Sequence, residues 1–369
     1  MILDTLAASF GPEIRVDFGA ELRVAFAVPG DLSARTGGYG YDRRILTEPV
    51  SDMQYTHIAL PDGFPNPSPD AMRQTARLLQ AVPPHHVLLI DGLACGVLPE
   101  ALLACLHAPV VALLHHPLGL ETGLGPSERA RLLAGEARAL RHVRHGIVTS
   151  ALTARLVTQE LGFPAARITV AEPGTDSAPR AKGSGGYPAV LFAAGSIIPR
   201  KGYDVLVSAL ARLADIDWHL VLAGSPERAP GAARALVAQI EALGLAGRVT
   251  LRGDLAPAEL NAAYDRADIF VLSSHFEGYG MVLAEAMARG LPVVTTRGGA
   301  AAETVADAAS LKVPPGDVPA LALALRRMIT DKALRESCAD ESWRAGQSLP
   351  RWADTARIVA KALRAAARR

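Results

Sequence analysis

Short apolar runs rich in branched residues alternate along the chain with longer Ala/Leu/Arg stretches of helical spacing. In the first half the runs are LRVAFAV (22–28), HVLLID (86–91), VVALL (110–114), GIVTS (146–150) and ITVA (168–171). In the second half they are AVLFAAG (189–195), WHLVLAG (218–224), RVTL (248–251), DIFVL (268–272) and PVVTT (292–296). That alternation of strand-like and helix-like segments is the signature of parallel α/β layers. Between the two sets lies PGTDSAPRAKGSGGYP (173–188), rich in Gly, Pro and Ser and without periodicity, which reads as a linker.

The expected fold is therefore α/β, with two Rossmann-like domains facing each other across a cleft. The expected division is an N-terminal domain over 1–175, a hinge over 176–188 and a C-terminal domain over 189–350, followed by a helix over 351–369 placed to pack back on the N-terminal domain. Composition agrees: 369 residues, 50% hydrophobic and 20% charged, can bury a large core and favour two domains over one. With 38 Lys and Arg against 37 Asp and Glu, no bulk charge points to nucleic acid, so any basic site must be local. Cys95, Cys105 and Cys338 lack CxxC spacing and read as buried small hydrophobes rather than a disulfide or zinc framework. No apolar run reaches bilayer-spanning length, and MILDTLAASFGPEIRVDFG lacks a basic segment followed by an apolar one; the expected location is the cytoplasm. GSGGYP precedes a strand, where a phosphate loop should follow one, so it belongs to the linker.

Candidate chemistry begins where DIFVLSS runs through HFEGYG into MVLAEAMARG, closed by Gly290 and Pro292. Strand, loop and helix in that order place a ligand beyond the strand's carboxyl end, and Gly278 and Gly280 let the backbone approach it closely. Glu277 precedes the helix and Glu285 lies about two turns into it, up to ~12 Å away at 1.5 Å per residue. One small group cannot touch both, whereas a ligand the length of a nucleotide sugar can, its hydroxyls donating to a carboxylate at each end. Glu277 taken alone reads better as a loop acid favoured near a helix start. Glu285 is surrounded by Val282, Leu283, Ala284, Ala286, Met287 and Ala288, and a buried unpaired carboxylate is costly. It needs a partner from a ligand or from the fold.

These residues carry a resemblance. SSHFEGYGMVLAEAMARGLPVVTTRGGAAAETV resembles the E-x7-E element of family 4 glycosyltransferases of the GT-B fold through Glu303, with Ser273 where Pro is usual. AAGSIIPRKGYDVLVSAL (193–210) resembles the family's GR-x-x-P-x-KG segment, with Ser196 where an arginine is usual. The resemblance implies that Lys201 and Arg200 clamp the donor diphosphate, that Glu277 orients the donor sugar and that Glu285 holds the ribose. It places Gly278, Tyr279, Gly280, Met281 and Val282 against the donor at the helix start. Without it, PRKG reads as a solvated basic turn. Gly37 and Gly38 resemble the family's glycine loop facing the donor phosphate, with a plain mobile loop as the alternative. VVALLHHPLGLETGL ends a strand in two histidines; His115 falls where the family has one lining the donor-sugar site, and His116 is read as structural or acceptor-facing. Neighbouring side chains at a strand end point oppositely, which argues against a shared metal. VTSALTARLV and ITVAEPGTD, with Gly174 and Asp176, resemble the segments that close the N-terminal domain.

The implied reaction moves a hexose-type sugar from a UDP- or GDP-linked donor to a hydroxyl acceptor with retention of configuration. His115, Lys201 and Glu277 are the implied catalytic residues, with no obligatory metal or other cofactor and no enzymatic nucleophile. The N-terminal domain would take the acceptor, a glycolipid, polysaccharide or other cell-envelope glycoconjugate precursor, and the C-terminal domain the donor. Two alternatives stand beside this: a nucleotide-sugar 2-epimerase on the same fold, and a catalytically silent binding subunit, which Ser196 keeps open. Members of the family at membranes use a basic helix of the N-terminal domain, and SERARLLAGEARALRHVRHG (127–146) is basic. Its Glu128 and Glu136 favour a solvated face, so membrane contact at the inner face stands second to a cytoplasmic location.

Overall fold

Twelve strands make two six-stranded, all-parallel sheets within residues 21–368, the part of the chain that this computed structural model describes. Residues 1–19, read as lacking a basic segment followed by an apolar one, and the last residue of the expected terminal helix lie outside the described residues. The first sheet holds β1 (Leu22–Pro29), β2 (Met53–Leu60), β3 (Val87–Asp91), β4 (Val110–Leu114), β5 (His145–Val148) and β6 (Ile168–Val170), in the order β2-β1-β3-β4-β5-β6. The second holds β7 (Ala189–Ala194), β8 (Trp218–Ala223), β9 (Val249–Leu251), β10 (Ile269–Leu272), β11 (Val293–Thr296) and β12 (Ser310–Val313), in the order β12-β11-β10-β7-β8-β9. Strand order reverses at β1/β3 and at β7/β10, and loops leaving the carboxyl ends there diverge to leave a crevice in each sheet.

All ten apolar runs form strands, and β2 and β12 join them from segments that no apolar run marks. Both are edge strands. An edge strand needs fewer buried side chains, and MQYTHIAL is half-buried or exposed at every position before Leu60. Central strands are the reverse: β3, β4 and β10 are buried along their whole length.

The helix Trp352–Ala367 returns to the first sheet, where Trp352, Val359 and Leu363 pack with Phe26, Leu89 and Ile147. The chain crosses close to itself there, since a Cβ on Gly174 would lie 2.3 Å from the Trp352 nitrogen. The linker is not free of the second sheet. Ala181 N donates to Arg289 O at 2.9 Å, Lys182 Nζ pairs with Asp265 at 3.0 Å, and Ser184 N donates to Asp268 at 3.0 Å.

Three readings need correction. Cys105 is exposed while Cys95 and Cys338 are buried, so only two of the three act as small hydrophobes. The basic stretch is a shorter helix, Pro126–Leu140, followed by β5. Glu136 on that helix is fully buried rather than solvated, because one face bearing Leu132, Glu136, Ala139 and Leu140 turns inward. Among the described residues no helix is long and apolar enough to cross a membrane.

Candidate active site

A cavity of about 710 Å³ opens between the two sheets at their carboxyl ends. Every residue that the resemblance implies for the donor and catalytic site lines it: Gly37, Gly38 and His115 from the first half, and Arg200, Lys201, Glu277, Gly278, Tyr279, Gly280, Met281, Val282 and Glu285 from the second. Gly37 opens the helix Gly37–Thr47 after β1, and Thr36 caps it by accepting from Tyr39 N. The helix after β10 is short, Met281–Met287, and Gly280 enters it with a φ of 93°, which glycine adopts without steric cost.

Glu277 is 5% exposed and accepts from three side chains. Lys201 Nζ donates to Oε1 at 2.6 Å, Ser274 Oγ donates to the same oxygen at 2.5 Å, and Arg200 Nη1 reaches Oε2 at 3.3 Å. Burial alone would raise this carboxyl, but Lys201 and Arg200 outweigh it and hold Glu277 down at about 2. Arg200 also donates to Phe276 O at 2.7 Å and lies 3.1 Å from Glu121. Glu121 in turn meets His116 Nε2 at 3.2 Å. Its own burial is overcome by His116 and Arg200, which bring it down to about 2. The two cations read as a diphosphate clamp are thus already paired with carboxylates, so the cluster of Lys201, Arg200, Glu277 and Glu121 is neutral as a unit.

His115 and His116 part company as the strand-end geometry requires. His116 tilts over Phe276, while His115 Nε2 lies 3.3 Å from Asp42 Oδ1 and 3.5 Å from Asp91 Oδ2. Asp42 is 0% and Asp91 1% exposed. Burial pulls the imidazole down, but Asp42 first and then Asp91 more than reverse this and push it up to about 10. Burial likewise raises Asp42, opposed by His115, to about 6. At neutral pH this is an imidazolium between carboxylates. Asp42, Asp91 and His115 also present ligand atoms within 4.8 Å of one another, a donor set for one cation, although the same nitrogen already serves both acids.

Glu285 finds the partner its surroundings demand. Tyr264 donates its hydroxyl to Oε2 at 2.9 Å, and Arg289 lies nearby, donating to the Glu285 carbonyl at 2.9 Å. Burial raises the Glu285 pKa, with the Tyr264 bond and Arg289 opposing. Among the described residues Oε1 has no protein partner, and the residue borders the cavity.

Sequence reasoning missed Asp42, Asp91, Glu121 and Tyr264. Asp91 carried a readable signal, a lone acid ending an apolar central strand at its carboxyl end; Asp42 carried only its place one turn past the glycine pair. Glu121 and Tyr264 had no signal outside the fold.

Comparison with known proteins follows the same division of the chain. Residues 17–174 match the glycosyl transferase 4-like domain, and residues 175–343 match the glycosyl transferases group 1. A D-inositol 3-phosphate glycosyltransferase of Kineococcus radiotolerans is 28% identical over 274 residues, 67% of this chain and 62% of that protein. The mannosylfructose-phosphate synthase of Agrobacterium fabrum is 38% identical over 117 residues, 30% of this chain and 26% of that protein. In the first curated relatives the matched part spans less than half of their length, 26% to 43%. Sucrose-phosphate synthase from Thermosynechococcus elongatus superposes with a TM-score of 0.81 at 20% identity, covering 93% of this chain and 98% of that one. HepE of Anabaena in its complex with UDP-glucose gives 0.74 at 18% identity, covering 93% and 100%. At such identities the likeness is one of fold.

Proposed function

Because this chain belongs to the group 1 glycosyl transferases and has their two-domain GT-B fold, we propose that it moves a hexose-type sugar from a nucleoside diphosphate donor to a hydroxyl acceptor, with retention and without an obligatory metal. The observation that carries this reading is the pair of acids on one cavity wall. Glu277 is held ionised at one end by Lys201, and Glu285 presents a free oxygen at the other. An ionised, immobile carboxylate accepts sugar hydroxyls and fixes the donor's orientation. Tyr264 holds the second carboxylate so that its open oxygen can take a ribose hydroxyl. Lys201, buried beside the first, is within the same cavity as the departing diphosphate and can share its charge between Glu277 and the leaving group. Domain closure over the cavity would exclude water as a competing acceptor.

The HepE structure holds UDP-glucose, which supports a uridine diphosphate donor ahead of a guanosine one. Relatives bear the names D-inositol 3-phosphate glycosyltransferase and 2-deoxystreptamine N-acetyl-D-glucosaminyltransferase. Small polyhydroxylated acceptors therefore stand beside envelope glycoconjugate precursors.

Incubation with UDP- and GDP-sugars, with and without polyol and glycolipid acceptors, tests the reading. Transfer that requires an acceptor supports it; donor conversion without acceptor would show a 2-epimerase, and binding alone a silent subunit. Within the site, Glu285→Ala is expected to weaken UDP or GDP binding about tenfold or more while lowering stability by about 1 kcal/mol, the worth of the Tyr264 bond. Calorimetric titration giving unchanged affinity for both nucleotides in the folded variant would remove Glu285 from the donor site.

A further inference from the structure

A nucleoside diphosphate brings negative charge into a cavity whose most deeply placed cations are already neutralised. Lys201 is taken by Glu277, Arg200 by Glu277 and Glu121, and His115 faces Asp42 and Asp91. Of the other arginines on the cavity wall, Arg43 donates to Ala34 O at 2.9 Å and to Leu32 O, which shapes the loop after β1. Arg35 donates to Leu255 O at 2.7 Å and lies 3.7 Å from Asp254. Arg228 is different. It lines the same cavity, is exposed, and among the described residues its side chain makes no hydrogen bond or ion pair.

The loop that carries it is fixed where it leaves the sheet. Gly195 N donates to Ala223 O at 2.9 Å and Ile197 N to Ser225 O at 3.0 Å, so the loops after β7 and β8 run side by side. They touch backbone to backbone, since a Cβ on Gly224 would lie 1.9 Å from Gly195 O. Ser196, the small residue standing where the resemblance has an arginine, lies in that seam and also lines the cavity. Across the cleft, the charge of Arg228 is felt by the Tyr39 phenol, next to the glycine pair Gly37–Gly38.

We propose that Arg228 is the free cation that receives the donor diphosphate, reaching in from the loop after β8 and making up for serine at 196. The assignment rests on the donor reading above. A guanidinium can give a phosphate two parallel N–H bonds, and an unpaired one has no internal ion pair to break first. An exposed guanidinium of this kind is ordered on binding phosphate, at the cost of rotamer freedom.

Binding of UDP, GDP and ADP, and of uridine, guanosine and adenosine, to the wild-type protein, Arg228→Ala, Arg228→Lys and the double variant Arg228→Ala/Ser196→Arg tests it. Arg228→Ala is expected to lose roughly ten- to a hundredfold in affinity for the preferred nucleoside diphosphate and none for its nucleoside. Arg228→Lys should recover part of the loss, Ser196→Arg in the double variant should recover more, and the salt dependence of binding should be shallower in Arg228→Ala. Equal diphosphate affinity in wild type and Arg228→Ala, or equal losses for diphosphate and nucleoside, would overturn the assignment while leaving the donor reading intact. A wild-type protein that binds none of the three diphosphates would overturn both.

Discussion

Solvent does not reach the two carboxylates that flank His115, and this decides the charge of the histidine. In a low-dielectric pocket a carboxylate at hydrogen-bond distance stabilises the imidazolium more than burial destabilises it, and the result is a pKa of about 10. A pKa raised on folding contributes stability that is complete below the ordinary value of 6.5 and is lost as pH rises through about 10. Asp42→Asn removes the nearer carboxylate, at 3.3 Å, and leaves Asp91 at 3.5 Å. The His115 titration is expected to fall by about one unit or more. The alkaline limb of any transfer activity that depends on imidazolium should move with it. Imidazole NMR titration alongside the pH–rate profile reads both, and a His115 pKa unchanged by the substitution would refute the dyad. His115 was legible in the sequence because it ends a buried strand. Its partner was not, because Asp42 comes from a helix 73 residues earlier and nothing in the local pattern joins the two.

The helix Pro126–Leu140 shows how an element can be found and its faces misread. Arginines on its outer side suggest a solvated surface, yet Glu136 points inward and its Oε2 accepts from Leu118 N at 2.8 Å, bracing the segment that leads to Glu121. The other oxygen is buried without a partner. Burial pushes this carboxyl up to about 8, with the Leu118 and Gly119 amides opposing. The sign follows: a carboxyl raised from 4.5 imposes no cost below that pH, a growing one between 4.5 and about 8, and the full cost above. Glu136→Gln does not titrate. Thermal unfolding of the wild type is therefore expected to lose roughly a few kcal/mol more than the variant between pH 5 and pH 9. Parallel slopes for the two proteins would show that Glu136 is ionised throughout. The strands tell the complementary story. Runs such as VVALL announce themselves because a central strand must be apolar on both faces. β2 lies at a sheet edge where solvent relaxes that demand, and β12 at an edge of the other sheet carries Lys312, whose ammonium donates to Ala302 O, Val305 O and Asp307, so hydrophobic pattern alone passes over both.

At the scale of the whole molecule, the two halves meet where Gly278 of the second presses on the strand end of the first. A Cβ there would lie 2.3 Å from His115 O. Thr153 Oγ1 reaches Gly278 O at 3.3 Å and His115 O at 3.4 Å, and Arg35 bridges to Leu255 O at 2.7 Å farther along the cleft. The apposition depends on main chain approaching main chain, which two separately recognisable domains do not reveal in sequence. It also divides the cavity wall. Lys201, Glu277 and Glu285 line the cavity from the second half, whereas His115 and the glycine pair line it from the first. Gly278→Ala cannot be absorbed by rotating a side chain, because the obstructing atom is a backbone oxygen, so the halves must part by a fraction of an ångström or more. On the proposed donor site, nucleotide binding is expected to fall by only about threefold, since Lys201, Glu277 and Glu285 stay together on one domain. Sugar transfer is expected to fall by roughly a hundredfold or more, the scale of effect that misplacement of about 1 Å has on a positioned reaction. Small-angle scattering should show a larger radius of gyration than the wild type. Exposed Arg155 and Glu303 also span the two halves, and Arg155→Ala should change little because such surface pairs contribute about 0–1 kcal/mol. If Gly278→Ala closes and turns over as the wild type does while Arg155→Ala does not, the halves are held by surface charge and not by backbone fit.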